Sequence, residues 1–204
     1  FILKPSEETP LTANALADLF QQAGLPDGLF QVIHGDHVIG RAICEHKGIA
    51  KISLTGSVDT GRQIIAQSAA KLKKVTLELG GKAPLLVFDD CDFELAIQTA
   101  LDANFYTAGE VCSNATRVFV QDTIADRFIE TITARTKNLV VGDPMAADTQ
   151  IGALISQAHL ESVQNHIEHA QHQGATLATG GMRIQPQGCE DGYFLSPAIL
   201  TGCS

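Results

Sequence analysis

The chain has 204 residues, 45% of them hydrophobic and 18% charged, which is the composition of an ordinary globular protein of one or two domains. Its net charge of −9 argues against nucleic-acid binding, which needs Lys and Arg to neutralise phosphates. No apolar run is long enough to span a membrane. The 5 cysteines form no CxxC pair and predict neither a disulfide framework nor a zinc site, so we expect a reducing, cytoplasmic compartment.

Strand and helix patterns alternate through the first part of the chain. The predicted elements are a strand at 1–4, a helix from Pro10 to Ala23, a strand from Phe30 to Ile33, a helix from Asp36 to Glu45, a strand from Lys51 to Thr55, a helix opened by Gly56-Ser57 that runs to about Ala70, and a strand from Val75 to Leu79. Strands separated by helices predict a parallel sheet with helices on its faces.

A break at Gly80-Gly81-Lys82 precedes a second α/β pattern. Its predicted elements are a strand from Pro84 to Phe88, a helix from Asp92 to about Tyr106, a strand from Arg117 to Val120, helices from Thr123 to Thr136 and from Ser156 to Gln173, and short strands near Leu177 and Phe194. We therefore place a domain boundary near residue 80, with one domain at 1–80 and another at 81–204.

Cys112 lies on a predicted loop, after a helix and Gly109 and before a strand. The thiolate is the attacking form of a nucleophilic cysteine. A lone cysteine is more often a buried small hydrophobic residue, so Cys112 needs support from other residues to count as a nucleophile.

Glu78 lies between two leucines at the end of an apolar strand and is followed by Gly80 and Gly81. A partly buried carboxylate there would be a usable general base near neutral pH. Strand alternation could instead point Glu78 to solvent. The paired glycines permit a sharp turn and a close approach of the backbone to a ligand.

Gly56 and Ser57 mark the point where a strand runs into a helix. The free N–H groups of a helix N-terminus suit a pyrophosphate. The spacing of Gly56 and Gly61 is not the G-x-G-x-x-G fingerprint, and a plain strand–turn–helix explains the pattern as well.

Lys4 and Glu7 follow the first strand, at the sheet edge where ligands of open α/β sheets gather. A Lys and a Glu so placed can bracket a ribose through its hydroxyls. A capping arrangement, in which Ser6 or Thr9 starts the next helix, is expected at the same point.

Together these segments resemble the aldehyde dehydrogenase superfamily across the whole chain. Its glutamate motif is similar to Leu77-Glu78-Leu79-Gly80-Gly81-Lys82, and its cysteine motif to Gly109-Glu110-Val111-Cys112, at the family's spacing. The Lys4-Pro5-Ser6-Glu7 and Thr55-Gly56-Ser57 segments also match. Asn104-Phe105-Tyr106 and the stretch from Val111 to Val120 look most like the betaine aldehyde dehydrogenases.

The resemblance implies a Rossmann-like NAD-binding domain, in part, followed by part of an α/β catalytic domain. It implies that Cys112 forms a thiohemiacetal with the aldehyde, that hydride passes to the nicotinamide, and that Glu78 activates the water that hydrolyses the thioester. Betaine aldehyde is the expected substrate; an aminoaldehyde, a semialdehyde, or a silent fragment with a binding role are alternatives.

The same resemblance implies a cofactor site. Lys4 and Glu7 would hold the adenosine ribose, Gly56 and Ser57 would meet the pyrophosphate, and Gly80 would lie by the nicotinamide, with Ser6 also among the cofactor-binding residues. Glu7 would repel a 2′-phosphate, which favours NAD over NADP, although Lys4 could pair a phosphate. No site for a metal ion is predicted in side chains, whereas the resemblance implies potassium bound by backbone carbonyls, that of Leu72 among them.

The chain departs from the family pattern in one residue, since Glu110 replaces the usual Gln near Cys112. A carboxylate that faces the thiol would slow its attack, so we expect Glu110 to face away. The family's oxyanion-hole Asn and its second cofactor clamp would lie outside these residues. We therefore expect an internal fragment, inactive alone, of a homodimeric or homotetrameric parent.

Three further groups have ordinary explanations beside functional ones. His159, His166, His169 and His172 spread round one helix and favour a solvated face over a metal site. Asp89, Asp90 and Asp92 precede a helix, where acids favour the N-terminal dipole. Phe105 and Tyr106 could meet a trimethylammonium group by a cation–π contact, or could be ordinary helix packing.

Overall fold

In a computed structural model that describes residues 1–203, the chain divides between Gly80 and Gly81 into two units. The first unit contains three helices and four strands. Their bounds are β1 Ile2–Leu3, α1 Leu11–Gln22, β2 Gln31–Val32, α2 His37–Glu45, β3 Lys51–Gly56, α3 Val58–Ala69 and β4 Lys74–Leu79. The pairs β1–β2 and β3–β4 are both parallel.

The core of the first unit forms between β3, β4 and the helices α2 and α3. Cys44, Ile52 and Ile64 are its buried residues. Along β4, exposed and packed side chains alternate, so that Val75, Leu77 and Leu79 point one way.

Gly61 lets α3 approach β4 closely. A Cβ at this position would lie 3.1 Å from both terminal carbons of Leu79. The absence of a side chain is therefore a packing requirement of the helix that follows Gly56-Ser57.

The second unit contains the remaining elements. Their bounds are β5 Pro84–Val87, α4 Phe93–Phe105, a short 3-10 turn Tyr106–Gly109, β6 Arg117–Val120, α5 Asp122–Lys137, α6 Gln157–His172, β7 Thr176–Thr179, β8 Arg183–Ile184, β9 Phe194–Leu195 and β10 Ile199–Thr201. The pair β5–β6 is parallel, whereas β7–β10 and β8–β9 are antiparallel.

Helices α4 and α5 pack on β5 to form the core of the second unit. Its most buried side chains are those of Ile97 and Ala100 on α4 and Phe128 on α5. Asp92 caps α4, because its carboxylate accepts a hydrogen bond from the Leu95 N–H at 3.1 Å.

The α/β class with parallel strand pairs and flanking helices is confirmed, with two differences. The parallel strands form separate two-stranded pairs, because β1 and β2 are only 2 residues long. The antiparallel pairs near the end of the chain were not predicted, since strands of this length carry too little alternation to reveal their direction.

The predicted cap of α1 is wrong. Helix α1 follows Pro10, and no side chain caps it. The Ser6 hydroxyl instead accepts a hydrogen bond from the Glu8 N–H at 3.3 Å, within a local turn. Proline suits the start of a helix because its missing N–H would have no partner there.

Within residues 1–203, no helix combines the length and the apolar character needed to cross a bilayer.

Candidate active site

The loop that bears Cys112 begins with a left-handed stretch of backbone. Helix α4 ends at Phe105, and Thr107, Ala108 and Gly109 then have φ values of +49°, +54° and +80°. Non-glycine residues rarely adopt this region and do so at a cost of about 1 kcal/mol or more each. The surrounding contacts must therefore hold the turn in place.

Asn114 supplies one of these contacts. It is 5% exposed, and its Nδ2 donates to the Gly109 carbonyl oxygen at 2.7 Å. The backbone adds bonds from the Glu110 N–H to the Thr107 oxygen and from the Asn114 N–H to the Val111 oxygen. The loop from Thr107 to Asn114 is thus closed on itself around a buried amide.

Cys112 lies at the exposed side of this loop. Its thiol is free, as are those of the other cysteines in residues 1–203. Exposure excludes the interpretation of Cys112 as a buried hydrophobic residue, which applies instead to Cys44. A thiol on a fixed loop and open to solvent can reach a small electrophile.

The backbone of Gly81 lies against the same loop. A Cβ on Gly81 would be 3.3 Å from the Cys112 carbonyl oxygen. Nearby, the Arg117 guanidinium donates twice to the Lys82 carbonyl oxygen, at 3.1 and 2.7 Å, where β5 and β6 begin. Glycine at position 81 therefore serves close packing beside the cysteine.

The Glu110 carboxylate is engaged by helix α6. Its Oε1 lies 3.2 Å from Nε2 of His159, and both side chains are roughly half exposed. His159 is thereby set apart from the other α6 histidines, which the sequence grouped with it.

Glu78 lies on the exposed side of β4. The strand register pairs it with Thr55, and Leu79 with Gly56, so Glu78 lies at the same end of the β3–β4 pair as the Gly56-Ser57 turn. The Glu78 carboxylate is therefore not partly buried, as one interpretation of the sequence required. Its side chain points to solvent, as the alternation along the strand predicted.

Gly56 and Ser57 form the expected turn from strand to helix. Ser57 caps α3: its Oγ accepts from the Thr60 N–H at 3.1 Å and lies 2.9 Å from the Thr60 hydroxyl. The first N–H groups of an α-helix have no partner within the helix and remain available to an anion. Asp59 in this first turn is paired with Arg62 at 3.2 Å.

Lys4 and Glu7 are brought together after β1. The Lys4 ammonium donates to the carbonyl oxygens of Pro5 and Gly35, at 2.7 and 2.5 Å, and lies 3.7 Å from Glu7 Oε2. Lys4 is mostly buried, whereas Glu7 is mostly exposed. The carboxylate is therefore the group that remains open to a ligand.

Phe105 and Tyr106 separate into two roles. Phe105 packs against the core of the second unit, which is the ordinary helix packing weighed from the sequence. Tyr106 is 70% exposed and leaves its ring available.

The α6 histidines and the aspartates before α4 form no metal site: within residues 1–203, no group of three His, Cys, Asp or Glu side chains could hold a metal ion. Asp92 acts as a helix cap, and Asp89 accepts hydrogen bonds from the side chains of Gln121 and Thr123.

Sequence reasoning missed Asn114 and the left-handed turn before it. The neighbouring Ser113, Thr116 and Arg117 are also polar, so no local signal in the sequence set Asn114 apart. Thr107 and Ala108 carry no signal either, because neither residue type favours a positive φ.

Comparison with known proteins identifies the family of the chain. The profile described as the aldehyde dehydrogenase family matches residues 1–204. The betaine aldehyde dehydrogenase of Vibrio vulnificus (strain YJ016) is 52% identical over 202 residues, which are 99% of this chain and 42% of that protein. That of Brucella anthropi is 51% identical over 201 residues, 98% of this chain and 41% of that protein.

A solved structure shows the same fold. The betaine aldehyde dehydrogenase of Staphylococcus aureus, in complex with NAD⁺, superposes with a TM-score of 0.96 at 37% identity, over 100% of this chain and 41% of that one. The chain thus spans about two fifths of the length of the relatives that it matches.

Proposed function

The chain belongs to the aldehyde dehydrogenase family, and from that premise we propose that its protein oxidises an aldehyde, betaine aldehyde above others, to the carboxylate with NAD. The observation that carries the proposal is the exposed thiol of Cys112 on a loop closed by the buried Asn114. Relatives named for betaine aldehyde support the substrate, and the NAD⁺ complex of the Staphylococcus aureus protein supports the cofactor.

The residues of the first unit fit NAD. The start of α3 after Gly56-Ser57 offers unpaired N–H groups to the pyrophosphate. The exposed carboxylate of Glu7 can accept from both hydroxyls of a ribose, and it repels a 2′-phosphate. Because the Lys4 ammonium is already occupied by two carbonyl oxygens and Glu7, it offers little to such a phosphate. We therefore favour NAD over NADP, with Lys4, Ser6 and Gly80 lining the same site.

In the proposed chemistry the Cys112 thiolate adds to the carbonyl carbon: a C–S bond forms, the C=O π bond opens, and its electron pair moves to the oxygen of the resulting thiohemiacetal. When bound, NAD supplies the hydride acceptor. Loss of hydride from the thiohemiacetal carbon leaves a thioester on Cys112. Water then attacks the thioester carbonyl, the C–S bond breaks, and the carboxylate leaves while the thiolate is restored.

Glu78 is proposed as the base that takes the proton of that water. Its exposed position at the end of β4 gives it access to solvent, from which the water comes. A positioned general base contributes about 10²–10⁴-fold to the rate of such a step. Glu78 acts on hydrolysis alone, so acylation of Cys112 does not depend on it.

Tyr106 supports betaine aldehyde as the substrate. Its exposed ring, next to the left-handed turn, can meet a quaternary ammonium by a cation–π contact. An aminoaldehyde also carries a cation, whereas a semialdehyde with a carboxylate does not and would gain nothing from the ring.

Turnover kinetics test the proposal. Reduction of NAD⁺ by the whole protein is followed by absorbance with betaine aldehyde, an aminoaldehyde and a semialdehyde, and the 204-residue chain, expected to be inactive alone, is assayed beside it. We expect betaine aldehyde to give the highest kcat/KM and Cys112→Ser to abolish turnover. A Cys112→Ser protein with undiminished turnover would falsify the proposed role of the thiol.

Three wider properties of the whole protein are also proposed. We propose a homodimer or homotetramer, a cytoplasmic location, and a potassium site of backbone carbonyls that includes Leu72. Leu72 is 92% exposed and has φ +50°, a left-handed backbone conformation outside regular helix and strand.

A further inference from the structure

A carboxylate lies two residues from the proposed nucleophile. Two peptide units span at most about 7 Å, so the side chain of Glu110 has the reach to approach the thiol of Cys112. A negative charge at that distance disfavours the thiolate, because like charges repel. A chain that uses Cys112 as a nucleophile therefore has to control where this carboxylate points.

Helix α6 provides the control. His159 lies in the first turn of α6, where Ser156 caps the helix by accepting from the His159 N–H at 3.2 Å. Glu110 Oε1 lies 3.2 Å from Nε2 of His159. The carboxylate is thus docked at a helix N-terminus, where the helix dipole also favours a negative charge.

The turn before Glu110 fixes the start of this arrangement. Gly109 has φ +80°, and a Cβ there would be 3.1 Å from the Asn104 carbonyl oxygen, so the backbone is tightly held. The Glu110 N–H also donates to the Thr107 oxygen at 3.1 Å. With the backbone fixed, the direction of the Glu110 side chain depends on the partner at its tip.

We propose that His159 is a positioning residue that holds the Glu110 carboxylate on α6 and away from the Cys112 thiol. The inference rests on the proposed role of Cys112 as the nucleophile. It adds a residue far along the chain that acts on the nucleophile only through Glu110. The structure shows the contact as a 3.2 Å approach of Nε2 to the carboxylate; a protonated imidazole makes it an ion pair, and a neutral imidazole is a donor there when its proton is on Nε2.

The matched variants separate length from polarity at position 159. His159→Asn is polar but too short to place a donor where Nε2 lies, and His159→Ala removes the donor altogether. His159→Gln puts an amide N–H near the position of Nε2. His169→Ala is the control, because it removes an exposed histidine from the same helix.

The measurement is the rate of alkylation of Cys112 against pH in the full chain, read on the Cys112 peptide by mass spectrometry. For His159→Ala and His159→Asn we expect the midpoint to rise by about half a pH unit, and alkylation below it to slow about threefold. His159→Gln should restore most of the rate. In about 1 M KCl, where the Debye length is roughly 3 Å, the shift should shrink.

A second-site variant decides whether the effect passes through the carboxylate. In a Glu110→Gln background, His159→Ala and His159→Asn should leave the alkylation midpoint where it is. An unmoved midpoint in both single variants, or a shift that persists in the Glu110→Gln background, overturns the proposal. Failure of the proposed function has a separate signature, namely turnover that survives in Cys112→Ser, so the two outcomes are distinguishable.

Discussion

Replacing Asn114 with alanine removes the amide that closes the Cys112 loop. Nδ2 of Asn114 donates to the Gly109 oxygen at 2.7 Å, and no other donor in residues 1–203 reaches that oxygen. A net hydrogen bond is worth about 0.5–1.5 kcal/mol, and an orphaned, partly buried carbonyl adds to the loss. We therefore expect the loop to lose about 1–2 kcal/mol of local stability.

Amide hydrogen exchange reads this loss directly. The N–H of Glu110 is held by the Thr107 oxygen, and the N–H of Asn114 by the Val111 oxygen. A loss of about 1–2 kcal/mol in Asn114→Ala should make two amides exchange roughly 5- to 30-fold faster, namely the N–H of Glu110 and the N–H at position 114. Amides of the α5 core, such as that of Ile132, should be unaffected.

Asn104→Ala is the matched control. Asn104 Nδ2 donates to the Ala100 oxygen at 2.8 Å, but that oxygen lies inside α4 and keeps its helical partner. We expect little change in loop exchange from this variant. Unaltered exchange at Glu110 in Asn114→Ala, or equal acceleration of loop and core, would refute the view that Asn114 holds the loop.

Further predictions concern packing, substrate and pH. In urea unfolding, Gly61→Ala should lower the free energy of unfolding by about 1 kcal/mol, because the new Cβ would crowd Leu79. Gly40→Ala in α2 has space around it and should raise the free energy of unfolding by about 0.5–1 kcal/mol. Tyr106→Leu should raise KM for betaine aldehyde about 3- to 10-fold and spare a neutral aldehyde, while Tyr106→Phe keeps the ring; equal effects on both substrates would contradict a cation–π contact. Burial raises the pKa of the Cys44 thiol in the folded chain, so the unfolded chain ionises first as the pH rises. The stability that the neutral buried thiol contributes is therefore present below pH ~8.5 and is lost above it. Cys44→Ala should flatten this alkaline fall in the free energy of unfolding, and an unchanged pH profile would count against the role of the thiol.

Local signals in the sequence were enough for the elements that carry the site. The apolar pattern of residues 75–79 predicted β4, the Gly56-Ser57 step predicted the start of α3, and the acidic residue Asp92 predicted the start of α4. Each of these depends on residues within one or two turns of each other. The resemblance of the motifs then supplied the roles of Cys112 and Glu78, which neither residue indicated alone.

Features that depend on distant partners were not predictable. Glu110 meets His159 across 49 positions of chain, and helical periodicity placed that histidine on a solvated face. The left-handed conformation of Thr107 and Ala108 is imposed by the closed loop and not by their residue types. The pairing of β7 with β10 likewise joins two short strands with no local mark of their direction.

The measurement that tests the central claim most directly is trapping of the acyl group on Cys112. Glu78→Gln should slow hydrolysis about 10²–10⁴-fold without preventing acylation, so mixing with NAD⁺ and betaine aldehyde should give one burst of NADH per site and then near-arrest. Mass spectrometry of the quenched protein should find the thioester on the Cys112 peptide. A burst with the acyl group on another residue, or steady turnover at the original rate, would contradict the assignment of nucleophile and base.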